Sequence, residues 1–165
     1  MATQPENEPI FFVDAMLGNI AKKLRLMGYD TKYFSDIGDE SLIQTAKKDN
    51  RIVISRDEDL VRISTRNDVN GIFIHSDKEV EQFHEILDYL NLETVEISGE
   101  KARCPNCNAT TESIDKKNIY QKIPQKVLDY NEKFWICKNC DQIFWEGTHI
   151  QNLQKLVRVL NERRK

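Results

Sequence analysis

Arg51-Ile52-Val53-Ile54-Ser55-Arg56-Asp57-Glu58-Asp59-Leu60 decides the fold. Ile52 to Ser55 is a short uncharged run, rich in β-branched residues and bounded by charge, which is the pattern of a buried strand. Two carboxylates, Asp57 and Asp59, follow at once, and then a helical pattern begins. Acids at a strand tip are costly unless the tip opens into a crevice that can hold a cation. In open α/β sheets the crevice beyond the carboxyl ends of the strands is where ligands bind. The reading therefore turns on which other acids reach that edge.

Upstream, Ile10 to Val13 reads as a buried strand ending at Asp14. Leu17, Ile20, Ala21, Leu24 and Met27 then recur at helical spacing, with Lys22, Lys23 and Arg25 on or beside the opposite face. Gly28 stops this helix. Tyr29 to Phe34 reads as a second strand, and Asp39 opens a helix with Leu42, Ile43 and Ala46 inward. Downstream of a helix over about Asp57 to Ser64, Gly71 to His75 reads as a fourth strand. Asp77 to Leu90 reads as an amphipathic helix, and Thr94 to Ile97 as a fifth strand. The alternation over residues 10–98 predicts an α/β domain, a parallel sheet sandwiched by helices. Ser98-Gly99-Glu100-Lys101 reads as a hinge into a second module.

The 165 residues suffice for one domain plus a small appended module, and 39% hydrophobic with 31% charged residues is the balance of a soluble globular chain. No apolar run approaches the ~20 residues that span a bilayer. Met1 to Pro9 is polar and acidic without a signal-peptide core, so a frayed terminus and a cytoplasmic location are expected. The net charge of −3 hides an asymmetry. Residues 1–100 hold 11 Lys+Arg against 20 Asp+Glu, and residues 101–165 hold 13 against 7. An acidic front would repel nucleic acid unless cations occupied its carboxylates.

Asp14 ends the first strand, Asp39 begins the helix before the third, and Asp57 follows the third. Three elements thus aim carboxylates at one edge of the sheet, a donor set that suits Mg²⁺ or Mn²⁺. Each of Asp39 and Asp57 also reads as a helix cap. Asp59, one turn into a helix, also reads as facing solvent, as do Glu40 and Glu58. A signalling receiver, which shares acids at strand tips, is disfavoured: Ala15 stands where a second acid would be needed, and His75-Ser76 where a lysine would.

The four cysteines form two Cys-x-x-Cys pairs, Cys104/Cys107 and Cys137/Cys140, separated by 29 residues. Two such turns close a tetrahedral, structural Zn²⁺ site and let a thin module over 101–149 stay folded. Phe134, Trp135, Ile143, Phe144 and Trp145 are expected to pack this module, and a short helix is expected after Pro124. Residues 150–165 read as an amphipathic helix with Leu153, Leu156, Val157 and Leu160 inward; Arg158, Arg163, Arg164 and Lys165 give it a basic end suited to phosphate backbones. His75 and His84 read as ordinary strand-end and helix-surface residues.

Four motifs in order carry a family resemblance: Phe12-Val13-Asp14-x-x-Leu17-Gly18, Leu24-Arg25-x-x-Gly28-Tyr29-Asp30-Thr31, Asp39-x-x-Leu42, and Arg51-Ile52-x-x-Ser55-Arg56-Asp57-x-x-Leu60. The string resembles the PIN-like ribonuclease family named for the C-terminal part of a mutator exonuclease, in which a PIN-like domain precedes a four-cysteine zinc ribbon. Trp145-Glu146-Gly147-Thr148-His149 resembles a tail motif of the same family. The resemblance implies metal-dependent RNA cleavage with Asp14, Asp39 and Asp57 as metal-binding acids. Ser55 matches a hydroxyl residue two before the third acid, and Asp59 a fourth acid that varies among relatives. Asp77 is expected to be the N-cap of its helix instead. Arg56 is expected to reach substrate phosphates, as are Lys22, Lys23 and Arg25 unless they form a solvated face. His149 lines the site, touches RNA or makes a structural hydrogen bond. RNA is the expected partner, with a homodimer or an RNA-processing assembly as its setting and no membrane. The competing expectation is a non-catalytic RNA-binding adaptor built on the ribbon.

Overall fold

The computed structural model describes residues 8–164; the frayed terminus expected over Met1 to Pro9 lies mostly outside them, as does Lys165. Strands β1 (Phe11–Val13), β2 (Thr31–Tyr33), β3 (Ile52–Ser55) and β4 (Gly71–Phe73) form a parallel sheet in the order β2-β1-β3-β4. Its crossover helices are α1 (Gly18–Leu26), α2 (Asp39–Asp49) and α3 (Glu58–Arg66), and α4 (Glu79–Tyr89) follows β4. Successive strand residues point to opposite faces. Phe11, Val13 and Ile54 therefore join the apolar faces of α1 and α4 on one side, while Phe12 and Val53 meet Leu42, Ile43 and Ala46 of α2 and Leu60 of α3 on the other. Phe11, Phe12 and Val13 are all fully buried, as a central parallel strand covered on both faces requires.

A second, antiparallel sheet is built from β5 (Thr111–Ile114), β6 (Phe134–Cys137) and β7 (Ile143–Trp145). The connection from β5 to β6 carries α5 (Gln125–Tyr130), directly after Pro124, and a small core of Ile119, Leu128 and Phe134 with Trp145 against it. Helix α6 (Thr148–Arg163) returns to the first sheet and adds Leu153, Leu156, Val157 and Leu160 to its core beside α4.

Several expectations need correction. Thr94 to Ile97 forms no strand, although Val95 and Ile97 do face the core. The Asn161 side chain takes a strand's place: Val95 N–H donates to Asn161 Oδ1 at 2.9 Å, and Asn161 Nδ2 donates to the Val95 carbonyl at 3.0 Å. Asp77 is not the cap of α4; Lys78 occupies that position without a side-chain bond. Instead Glu85 reaches back, accepting from the N–H groups of His75 and Ser76. His84 is half-buried, and its Nε2 is shielded with no partner. At the basic end of α6, Arg163 pairs with Glu81 and Arg164 with Asp88 of α4, and Arg158 stays exposed.

The segment read as a hinge is a fixed turn. Lys101 and Ala102 N–H both donate to the Ser98 carbonyl. Gly99 lies under the Trp135 indole so closely that a Cβ there would fall 2.1 Å from the ring.

Candidate active site and metal centre

In a parallel sheet each crossover helix runs back against the strands, so strand C-termini and helix N-termini share one edge. Asp14 follows β1, Asp57 follows β3, and Asp39 is the first residue of α2; all three arrive at that edge. Asp14 and Asp57 are joined through buried Ser55, whose hydroxyl donates to Asp14 Oδ2 at 2.7 Å and accepts the Asp57 N–H at 2.9 Å. Asp14 Oδ1 takes the Ala15 N–H at 2.7 Å. Asp57 caps α3, its Oδ1 accepting from Asp59 and Leu60 N–H. Asp39 enters α2 without capping it; Gly38 is the cap residue. Among the described residues, the three aspartates do not form a group with all ligand atoms within 4.8 Å of one another; only the four cysteines do.

The cysteines converge from two matching turns. Cys104 N–H donates to the Ala109 carbonyl and Asn108 N–H to the Cys104 carbonyl; Cys137 N–H and Asp141 N–H repeat the pattern with Gln142 and Cys137. The residue after each second cysteine, Asn108 (φ 71°) or Asp141 (φ 60°), is left-handed, a conformation Asn and Asp tolerate better than most. Sulfur–sulfur distances are 3.7 Å for Cys104/Cys140 and 3.4 Å for Cys107/Cys137. Four sulfurs bound at ~2.3 Å to a tetrahedral ion stand about 3.8 Å apart, so little movement would seat one. Without metal, burial pushes the Cys104 thiol up to about 12. Burial also acts to raise Cys107, but hydrogen bonds, from the Ala109 backbone first, outweigh it and bring that thiol to about 6.

The first turn is bolted to the parallel sheet. Strand β2 is an edge strand, and both backbone groups of its first residue, Thr31, point away from β1. The Thr31 N–H donates to Asn108 Oδ1 at 3.0 Å. Its carbonyl accepts from Arg25 Nε at 2.8 Å, and Arg25 Nη1 goes on to the Pro105 carbonyl at 2.8 Å. Asn108 Nδ2 donates to Asp30, which also accepts from buried Arg51 at 2.8 Å. The cysteine centre thus covers a sheet edge at the strand N-termini, the end of β2 opposite the three acids.

The family model described as Mut7-C RNAse domain matches residues 9–157, both sheets included. The chain belongs to the Mut7-C RNAse domain family. No curated protein and no solved structure matches it.

The expected phosphate-contacting residues of this Mut7-C chain separate. Arg56 is exposed at the tip of β3. Lys22 is exposed on α1, and Lys23 is ion-paired with Glu79. Arg25 requires correction: it is buried and spends its guanidinium on Thr31 and Pro105, because a helix ending against the cysteine turn has carbonyls to satisfy there. Burial lowers its pKa, while the nearby Cys104, Cys107 and Asp30 act to raise it. Asp59 is exposed and paired with Arg62 at 3.1 Å. His149 is exposed in the first turn of α6, and Asp77 is exposed before α4. Sequence reasoning missed Asn108 and gave no role to Asp30 or Arg51. The available signal was an Asn directly after a Cys-x-x-Cys turn, a place that asks for a left-handed residue.

Proposed function

We propose that this Mut7-C chain is a divalent-metal-dependent ribonuclease that hydrolyses RNA phosphodiester bonds at the edge formed by Asp14, Asp39 and Asp57. The observation that carries the reading is the Ser55 hydroxyl, which holds the Asp14 carboxylate and the Asp57 backbone in one hydrogen-bonded unit. Mg²⁺ or Mn²⁺ held there would neutralise a phosphodiester and activate water. The chain's own part is to present carboxylate oxygens: Asp57 leaves Oδ2 free of the cap bonds that occupy Oδ1. Asp39, exposed at the start of α2, suits a contact through water, since Mg²⁺ keeps several waters. Arg56 is placed to meet a phosphate beside the acids. A PIN-like architecture and three segments, 10–98, 101–149 and 150–165, complete the reading.

Cys104, Cys107, Cys137 and Cys140 hold a structural Zn²⁺, with no open position for catalysis. Its first task is to clamp the edge of β2 through Asn108 and Pro105. Exposed lysines between the two cysteine pairs, Lys122, Lys126 and Lys133, suit RNA contact as well.

Asp57→Asn tests the catalytic reading cleanly, because Asn caps a helix as well as Asp does and the fold is kept. The expected outcome is loss of Mn²⁺-stimulated cleavage of labelled RNA with an unchanged melting curve. Wild-type activity in this variant would refute it. The open spacing of the three acids favours one other reading, a non-catalytic RNA-binding adaptor. Its mark is RNA binding that survives Asp57→Asn, with no metal-stimulated cleavage by the unaltered protein.

A further inference from the structure

The parallel register sets a row of residues level across the acidic edge. Val13 pairs with Tyr33 and with Ile54 in register, and Ser55 with Phe73. One residue beyond these pairs come Phe34 and Asp14, so Phe34, Asp14 and Ser55 lie at the same end of three neighbouring strands, whose spacing in a sheet is about 4.8 Å. Phe34 lies two residues past Lys32, the partner of Phe12, and so on the face that carries Phe12 and the Ser55–Asp14 bond.

Phe34 is 51% exposed, although it is a large apolar residue. Single exposed apolar residues are ordinary. This one is packed from one side. One side of its ring rests against fully buried Phe12, with centroids 5.9 Å apart at 51°. Its neighbour Tyr33 ties this tip to the loop after Asp14, donating its hydroxyl to the Ala15 carbonyl at 2.9 Å. Met16, in the turn that follows Asp14, is 74% exposed. Four residues, Ser35 to Gly38, separate Phe34 from Asp39. An open, braced aromatic face thus stands beside Asp14 at the acidic edge.

We propose that Phe34 is a stacking platform for a nucleobase, seating the nucleotide beside the phosphate that the acids receive. The inference rests on the ribonuclease reading and adds the substrate class: RNA with an unpaired base at the cleavage site. Duplex bases are buried against their neighbours and cannot lie on a side-chain ring, whereas splayed bases stack readily on Phe, Tyr or Trp. Stacking is sequence-tolerant, so little base preference is expected at this position. Phe34 acts by positioning and takes no part in the bond-making step.

The test uses the full chain and short RNAs that carry 2-aminopurine, as a single strand and as a duplex. Phe34→Leu keeps an apolar contact with Phe12 and removes the aromatic face; Phe34→Trp restores one. Binding is read by 2-aminopurine quenching with no Mg²⁺ or Mn²⁺ added, so that the cysteine centre stays intact, and cleavage separately with Mn²⁺. For the single strand, Phe34→Leu should raise KM about tenfold, with a much smaller change in kcat, and abolish the quenching. Phe34→Trp should recover both, and the unaltered protein should cleave the single strand in preference to the duplex. Unchanged KM and quenching in Phe34→Leu, or equal cleavage of both RNAs, overturns the stacking role while leaving the ribonuclease reading in place. A change in oligomeric state on Phe34→Leu overturns it too, by assigning the patch to a second copy. Absence of any RNA cleavage by the unaltered protein overturns both.

Discussion

Asn108 Nδ2 donates to Asp30 Oδ1 at 2.7 Å, across 78 residues of chain. One partner follows the first Cys-x-x-Cys turn; the other precedes the edge strand of the parallel sheet. Through this contact, and the Thr31 N–H held by the same Asn108 side chain, a metal held by the four cysteines would support backbone order in the parallel sheet.

Replacing Asn108 with Gly removes both bonds without asking a β-carbon to accept the left-handed backbone. It leaves the amide of fully buried Thr31 unsatisfied, which costs about 1–3 kcal/mol, and the charge-assisted bond to Asp30 is lost besides. The melting temperature should fall by about 5–10 °C by calorimetry with zinc present.

Acid should act on the same network. Burial pushes the Asp30 carboxyl up, but hydrogen bonds from Arg51 and Asn108 and the charges of Arg51 and Arg103 outweigh it, holding it below the usual carboxylate range. A depressed folded pKa contributes stability above the unfolded value of about 3.9, lost as pH falls through the folded one. Urea unfolding at a series of pH values should show this loss below about pH 4, and Asp30→Asn should flatten that part of the profile.

Chelation should be felt beyond the cysteines. Removing a Zn²⁺ held by the four cysteines would unfold the turn that positions Asn108, because the metal's binding energy is folding energy for such modules. In native-state hydrogen exchange the Thr31 amide should then lose protection. The Val53 amide, bonded to the Asn70 carbonyl inside the sheet, should keep it.

Ser55→Ala deletes the hydroxyl between Asp14 and Asp57 and leaves the Asp57 N–H without its acceptor. The fold should lose about 1–2 kcal/mol in denaturant titration. The Mn²⁺ concentration needed for half-maximal cleavage should rise, since Asp14 would no longer be oriented.

Local pattern was enough to locate the parallel strands, their three crossover helices and the helix after β4. Hydrophobic periodicity over Ile10–Val13, Ile52–Ser55 and Asp39–Ala46 reflects which side of each element is buried, a property the element carries with it. The cysteine spacing was equally local. Thr94 to Ile97 misled because alternation reports burial and not hydrogen-bond partner: Val95 and Ile97 do face inward, but the backbone is met by Asn161. Arg25 misled for a related reason. Its helical position beside two lysines resembles a solvated face, and only the docked turn with Pro105 makes that position interior.

What the residue order by itself determined is the α/β alternation, the acids at strand and helix ends, and the paired cysteines, because each follows from short-range periodicity, capping chemistry or ligand spacing. Which acids share a hydroxyl, which cations are spent inside the protein, and that the cysteine centre covers the sheet edge opposite those acids were decided only by tertiary structure. These are contacts between segments 40 to 80 residues apart, and their energies depend on desolvation and hydrogen-bond geometry that no local stretch of chain contains.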